Sequence, residues 1–225
     1  MKLAALFSGG KDSVFSAYLA KKQGHELVCL ISVLSKNKES YMFHTPSIEK
    51  TKKQAEVMKI PIIIQKTKGE KEEELKDLEK AIQLAKEKYN IDGVISGALA
   101  SNYQKSRIET ICKKLNLKSI TPLWQINELN YLNDLIKNKF KIIVTGVFAY
   151  PLNQSWLGRE INFQFIQEII KLHEKYNIHL AGEGGEYETF VLDCPLFKKP
   201  LNISSYKDFK EGENSWRREI ELKAE

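Results

Sequence analysis

The run Ser8-Gly9-Gly10-Lys11-Asp12-Ser13 carries the first recognisable chemistry in the chain. Two adjacent glycines let a backbone turn tightly and bring peptide N–H groups against a ligand. The apolar stretch Leu3–Phe7 precedes them, and Val14, Ala17 and Tyr18 follow at helical spacing. Strand, glycine turn and helix therefore come in that order, with the helix beginning at about Asp12. A helix start adds unpaired N–H groups and the positive end of a dipole. The combination is an anion site, most often for phosphate. It is not a Walker A loop, which needs four residues between its first glycine and Gly-Lys-Ser/Thr, nor is it GxGxxG. The plainer alternative is an ordinary turn in which Asp12 or Ser13 caps the helix.

A second constellation lies at Ala181-Gly182-Glu183-Gly184-Gly185-Glu186-Tyr187-Glu188. Its glycines permit a tight loop with positive φ. Three carboxylates crowded into one turn raise one another's pKa unless a cation is bound. Such a turn suits a cation, an amine or Mg²⁺, and its plainer alternative is a polar surface turn. Cys29, Cys112 and Cys194 are far apart with no CxxC, so they read as core thiols and predict neither a metal cluster nor a disulfide.

The elements that must hold these residues follow from periodicity. After the first strand and helix, His25–Ser32 is an apolar strand and 34–47 a long loop, of the kind that is usually functional. A helix runs from Pro46 to about Met58, and Pro61–Gln65 is a strand. Leu75, Leu78, Ile82, Ala85 and Tyr89 mark one face of a helix over 70–89. Gly93–Ser96 is a strand, Gln104–Leu115 and Asn130–Lys137 are helices, and Lys141–Ala149 is a further strand. Strands alternating with amphipathic helices predict a parallel sheet with helices on both faces. Ligands bind at the carboxyl ends of such strands, which places the loops after Phe7, Ser32, Ser96 and Ala149 on one rim. Later the rhythm changes to a long helix through Ile161, Phe165, Ile169, Leu172 and Tyr176, a strand over Thr189–Asp193, and short strands at Leu201–Ser204 and Trp216–Leu222. The expected division is a domain over 1–122 and a smaller α+β domain over 123–225.

Composition narrows the class. At 225 residues, 42% hydrophobic and 28% charged, the chain reads as globular and soluble, with no run approaching a membrane span. The N-terminal apolar stretch is too short for a signal peptide, so the expected location is the cytoplasm. The net charge of +6 is spread over lysines, which favours a solvated surface over a nucleic-acid stripe. Only Arg107, Arg159, Arg217 and Arg218 are arginine. Arginine binds phosphate or carboxylate bidentately where lysine cannot, so Arg107 and Arg159, near the expected rim loops, are candidates for anion binding; the alternative is a surface ion pair.

Residues 8–13 resemble the SGGxDS signature of the N-type ATP pyrophosphatases, the PP-loop enzymes. The run from Gly182 to Asp193 resembles the hallmark of the diphthine–ammonia ligase family within that group. Tyr41–Pro46, Ser96-Gly97-Ala98, Tyr103–Arg107, Pro122-Leu123-Trp124 and Trp156-Leu157-Gly158-Arg159 are similar to that family too, in the same order up to about residue 200. Cys194 stands where alanine is usual, and the last 25 residues carry no recognised motif.

The resemblance implies a nucleotide-hydrolase-type α/β domain of the HUP kind followed by a substrate-binding domain. It also implies a reaction. Diphthine on elongation factor 2 is amidated by ammonia and ATP through an acyl-adenylate, giving AMP and pyrophosphate, as in the short archaeal members. Ser8, Gly9, Gly10, Lys11 and Ser13 would hold the phosphates. Asp12 would bind Mg²⁺ or cap the helix. Ser32, Val33, His44, Gly97 and Arg107 would lie about the nucleotide. Tyr103, Gln104, Trp156, Arg159, Gly184 and Gly185 would serve the substrate, with Tyr103 and Trp156 packing on adenine or trimethylammonium, or else in the core. Glu183 and Glu186 would bind the quaternary ammonium or ammonium, and Glu188 would join them or be structural. The alternatives are a PP-loop enzyme modifying tRNA and a non-catalytic adenine-nucleotide module.

Overall fold

The computed structural model describes residues 1–35, 48–68, 70 and 73–223. The chain forms two compact units, Met1–Trp124 and Gln125–Glu225. Among the described residues no helix is long and apolar enough to cross a membrane.

Unit 1 is built on strands β1 (Lys2–Leu6), β2 (Glu26–Ser35), β3 (Ile62–Thr67), β4 (Gly93–Ile95) and β5 (Lys118–Ile120), all parallel, in the order β3-β2-β1-β4-β5. Its helices are α1 (Lys11–Lys22), α2 (Ile48–Met58), α3 (Glu73–Tyr89) and α4 (Asn102–Lys114). Successive strand residues face opposite sides of a sheet. Ala4, Cys29, Ile31, Val33, Ile63 and Val94 form one core with Leu78, Ala81, Ile82 and Ala85 of α3 and Ile108, Ile111 and Cys112 of α4. The alternate residues Leu3, Ala5, Leu30 and Ile95 are buried as well, on the side where α1 and α2 meet the sheet. Burial of both faces explains why these strands read as unbroken apolar runs.

The strand order creates a switch point. The chain steps from β1 outward to β2 and β3, then crosses back to place β4 on the other side of β1. Such sheets bind ligands in the crevice outside the carboxyl ends of the strands at this point, and the glycine turn follows β1 there.

Unit 2 contains α5 (Glu128–Lys137), β6 (Lys141–Val147), α6 (Phe163–Tyr176), β7 (Tyr187–Asp193), β8 (Ile203–Gly212) and β9 (Ser215–Leu222). Its sheet is antiparallel, in the order β7-β6-β9-β8. Tyr131, Leu132 and Leu135 of α5, Phe165 and Ile169 of α6, and Ile142, Val144 and Val191 of the sheet are buried.

Three expectations are corrected. Lys141–Val147 belongs to the antiparallel sheet, so the loop after Ala149 does not follow a strand of the parallel one. The fifth parallel position belongs to Lys118–Ile120, which pairs with β4. Strand β2 continues through Leu34 and Ser35, paired with Lys66 and Thr67, so the expected loop from 34 begins later. The C-terminal region forms a long two-stranded ribbon instead of two short strands, because β8 extends to Gly212 and turns directly into β9. Cys29, Cys112 and Cys194 are buried free thiols, and desolvation pushes them up to about 12, 11 and 12 respectively.

Candidate active site

The glycine turn is held from three directions. Phe7 N–H still donates to Ile31 O at 2.8 Å, so the chain leaves the sheet only at Ser8. The N-cap of α1 is Gly10, which has no side chain to offer the first turn. Ser13 folds back over the turn: its Oγ donates to Gly10 O at 3.1 Å and lies 3.1 Å from Ser8 Oγ. Gly9 has φ +82°, the left-handed region that favours glycine. Below it lies Gln54 of α2, fully buried, whose Nε2 donates to Gly9 O at 3.0 Å. A Cβ on Gly9 would land on Gln54 Oε1. Gln54 therefore fixes the turn, and Gly9 must be glycine for both reasons.

Lys11 is buried, with 3% of its side chain exposed, and its Nζ sits 3.0 Å from Asp12 Oδ2. Lys11 is therefore not one of the chain's solvated surface lysines. Asp12 keeps 32% of its side chain exposed and lies in the first turn of α1, inside the N-cap position that Gly10 holds. Gly97, at the end of β4, approaches this turn closely. A Cβ there would meet Asp12 C and Ser13 N at 2.9 Å each, so the β4 rim and the start of α1 touch backbone to backbone. Ser32 and Val33 are buried and internal to β2. They are nevertheless the first β2 residues past the last β1 pair, Leu6 with Ile31, which puts them level with the glycine turn. On α4, Ser101 caps the helix by accepting the Gln104 N–H at 3.3 Å, and Arg107 Cζ lies 3.5 Å over the Tyr103 ring. His44 and the Tyr41–Pro46 segment lie outside the described residues.

The acidic constellation belongs to unit 2, and the structure separates its carboxylates. Glu188 lies in β7, with Oε2 3.3 Å from Arg217 Nη1 of β9. Gly146 of β6 pairs with both residues, so the ion pair closes over a position without a side chain. Glu186 Oε1 accepts the His179 N–H at 2.9 Å, while its buried Oε2 has no hydrogen-bond partner among the described residues. Glu183 N–H points at His179 Nδ1 at 3.4 Å. Among the described residues no group of three or more His, Cys, Asp or Glu side chains is placed to hold a metal. The expected crowding of three carboxylates is thus corrected for Glu188, which Arg217 engages instead. Gly182 and Gly185 have φ +69° and +82°, as the turn requires. At Gly184 a Cβ would meet the carboxylate end of Glu186, Oε1 at 2.8 Å, which would have to shift.

Trp156 is buried, edge-on to Phe165 at 5.4 Å, with Arg159 Cζ 4.2 Å above its ring. Arg159 pairs with Glu168 at 2.7 Å. That bond, then one from Gln164, holds the Glu168 carboxyl below its usual range. Both side chains are thus engaged within unit 2 in the way the surface ion-pair and core alternatives describe. Sequence reasoning missed the other two arginines. Arg218 makes a bidentate pair with Asp208 at 2.7 and 2.8 Å and lies 3.8 Å over Tyr206. Its guanidinium occupies the space a Cβ on Gly158, φ +78°, would need. It also missed Gln54, although a polar residue beside Ala55 on the buried face of α2 was a usable signal. His179 and Glu128 gave no local signal, since their partners are distant in sequence.

The profile of the diphthamide synthase N-terminal domain matches residues 1–119, and that of the C-terminal domain matches residues 127–222. The chain belongs to the diphthamide synthase family. The diphthine–ammonia ligase of Mus musculus is 37% identical over 224 residues, spanning 91% of this chain and 84% of the relative. That of Saccharomyces cerevisiae is 30% identical over 232 residues, spanning 88% of this chain and 34% of a longer relative. Among solved structures, a predicted subunit of tRNA methyltransferase from Methanocaldococcus jannaschii covers 87% of this chain and 98% of its own, at 17% identity and a TM-score of 0.45. Both family profiles lie within the two structural units, one in each.

Proposed function

We propose that this member of the diphthamide synthase family is a diphthine–ammonia ligase. It amidates diphthine on elongation factor 2 with ATP and ammonia. The observation that carries the proposal is the match of both domains to the family, with named ligases aligned over 91% of the chain. The diphthine carboxylate oxygen attacks the α-phosphorus and pyrophosphate leaves. Ammonia then attacks the acyl carbon, AMP departs with the bonding electrons, and the surplus protons of ammonium pass to solvent. An acyl-adenylate must be sheltered from water and its charges held in place.

Unit 1 is the ATP-binding domain in this reading. The turn Ser8–Ser13 cradles the phosphates with the start of α1, and buried Lys11 supplies fixed positive charge. Ser32, Val33 and Gly97 border the nucleotide, and Arg107 grips an anion. Asp12 fits Mg²⁺: it is a partly exposed carboxylate beside the phosphate turn, and Mg²⁺ commonly takes one or two carboxylates and completes its shell with phosphate and water. When bound, the ion neutralises phosphate charge. Unit 2 is the acceptor domain. Glu183 and Glu186, rather than Glu188, serve the cationic side of the reaction, trimethylammonium or ammonium, with Gly184 and Gly185 shaping the turn. By the family resemblance, Tyr103 and Gln104 of unit 1 and Trp156 and Arg159 of unit 2 each serve the substrate. The setting is the cytoplasm, where elongation factor 2 works.

The test is fragment mass spectrometry of diphthine-bearing elongation factor 2 after incubation with the protein, ATP, Mg²⁺ and ammonium. The expected product is the amide, with stoichiometric AMP. Glu183→Gln and Glu186→Gln should keep affinity for a non-hydrolysable ATP analogue and lose amide formation. No amide from folded wild-type protein would refute the assignment. Loss of analogue affinity in both variants would refute the acceptor-side role of the turn.

A further inference from the structure

The turn at 179–187 is organised around one imidazole. His179 Nδ1 faces two backbone amides, the N–H of Ala181 at 3.2 Å and that of Glu183 at 3.4 Å. A backbone amide only donates, so Nδ1 must carry its lone pair there. The ring proton then sits on Nε2, which points at Glu128 Oε1 at 3.0 Å. The second oxygen of Glu128 accepts the Leu180 N–H at 2.9 Å. Glu128 lies in the first turn of α5, behind the cap Asn127, on an element with its own buried face.

The same residue controls the carboxylate. The backbone N–H of His179 donates to Glu186 Oε1 at 2.9 Å. His179 O accepts the Gly182 N–H at 3.0 Å, Gly182 O accepts that of Gly185 at 3.2 Å, and Tyr187 Oη donates to Leu180 O at 2.7 Å. One side chain and its own peptide thus set the path of the turn and fix one oxygen of Glu186.

We infer that Glu128 and His179 are positioning residues for the acidic turn, with His179 held as the neutral Nε2–H tautomer. Glu128 orients the imidazole from α5. The imidazole gathers the Ala181 and Glu183 amides, and the His179 peptide sets Glu186. The arrangement resembles the carboxylate that fixes the tautomer of a metal-bound histidine, here applied to a loop. For the reaction, this inference rests on the acceptor-side reading of the turn.

The first measurement is independent of that reading. Nitrogen-15 NMR of histidine-labelled protein in mildly alkaline buffer should show His179 protonated on Nε2 alone, with Nδ1 accepting hydrogen bonds. Protonation on Nδ1, alone or with Nε2, overturns the inference. Amide exchange at Ala181 and Glu183 should speed up more than tenfold in His179→Ala, and also in Glu128→Gln, a milder change that keeps the size of the side chain. Unchanged exchange in both variants overturns it too. In the amidation assay, the KM for ammonium or for diphthine-bearing elongation factor 2 should rise more than tenfold, while affinity for the ATP analogue stays within twofold. Faster exchange with unimpaired amidation supports the hold on the turn and refutes its acceptor-side role. A collapse of analogue affinity instead overturns the proposed split between the sites.

Discussion

Gly9 and Gln54 offer a quantitative test of how the phosphate turn is built. Gly9→Ala incurs two costs. The first is the left-handed backbone at φ +82°, about 1–2 kcal/mol for a residue with a Cβ. The second is displacement of Gln54, because the new methyl falls on its Oε1 and so breaks the Nε2–Gly9 O bond. Gln54→Ala removes the same bond directly and leaves the buried Gly9 carbonyl open, about 1–3 kcal/mol. The two variants therefore share one term. The double variant should be less damaged than the sum of the singles by about 1 kcal/mol or more, well beyond the few tenths expected of independent sites. The assay is calorimetric affinity for a non-hydrolysable ATP analogue, in which each 1.4 kcal/mol is about a factor of ten, with urea unfolding of the same proteins alongside. Gln54→Glu serves as a control of nearly equal size. It has no N–H to give Gly9, and it should fail as badly as alanine. Additivity within about 0.5 kcal/mol, or an unimpaired Gln54→Glu, would show that Gln54 does not hold the turn.

Two further outcomes follow from packing and charge. Gly97→Ala should weaken analogue binding, because its methyl must push the backbone of Asp12 and Ser13 aside from 2.9 Å, an overpacking cost of about 1–3 kcal/mol; calorimetry with unchanged affinity would remove Gly97 from the crevice. Asp208→Asn should lower the melting temperature at neutral pH. The Arg218 hydrogen bond, the largest cause, holds the Asp208 carboxyl below its usual range. A depressed acid pKa adds stability above the unfolded value of about 3.9, and this is lost as pH falls through the folded value. The gap between wild type and variant should therefore close as acid protonates the folded-state carboxyl, and a gap that does not narrow on acidification would contradict the pairing.

Much of unit 1 was legible because its signals are local. An apolar run, two glycines and a helical face announce the phosphate turn within a dozen residues, and the long amphipathic face from Leu75 to Tyr89 announces α3. What escaped was set by distant partners or by brevity. Lys118–Ile120 is only a three-residue strand, too short to show a period, and with it unseen the next apolar run was assigned to the wrong sheet. The acidic turn was found, but its internal division was not. Glu188 is claimed by Arg217 from 29 positions away and Leu180 by Glu128 from 52 positions away. No spacing rule reports such pairings. Gln54 was hidden differently, since a single polar residue on a helix face is ambiguous until the main-chain carbonyl it serves is known.

The sequestered thiols have a practical consequence. Thiol-directed reagents consume thiolate. Cys29, Cys112 and Cys194, buried and raised to about 12, 11 and 12, offer almost none at neutral pH, so the native chain should be nearly silent to maleimides. Cysteines introduced at exposed Leu84 in unit 1 and Phe163 in unit 2 would then be the preferred labelling sites without removal of any natural cysteine. A donor and acceptor dye placed there would report, during a single turnover, whether the two units change their separation as ATP, the acceptor and ammonium arrive.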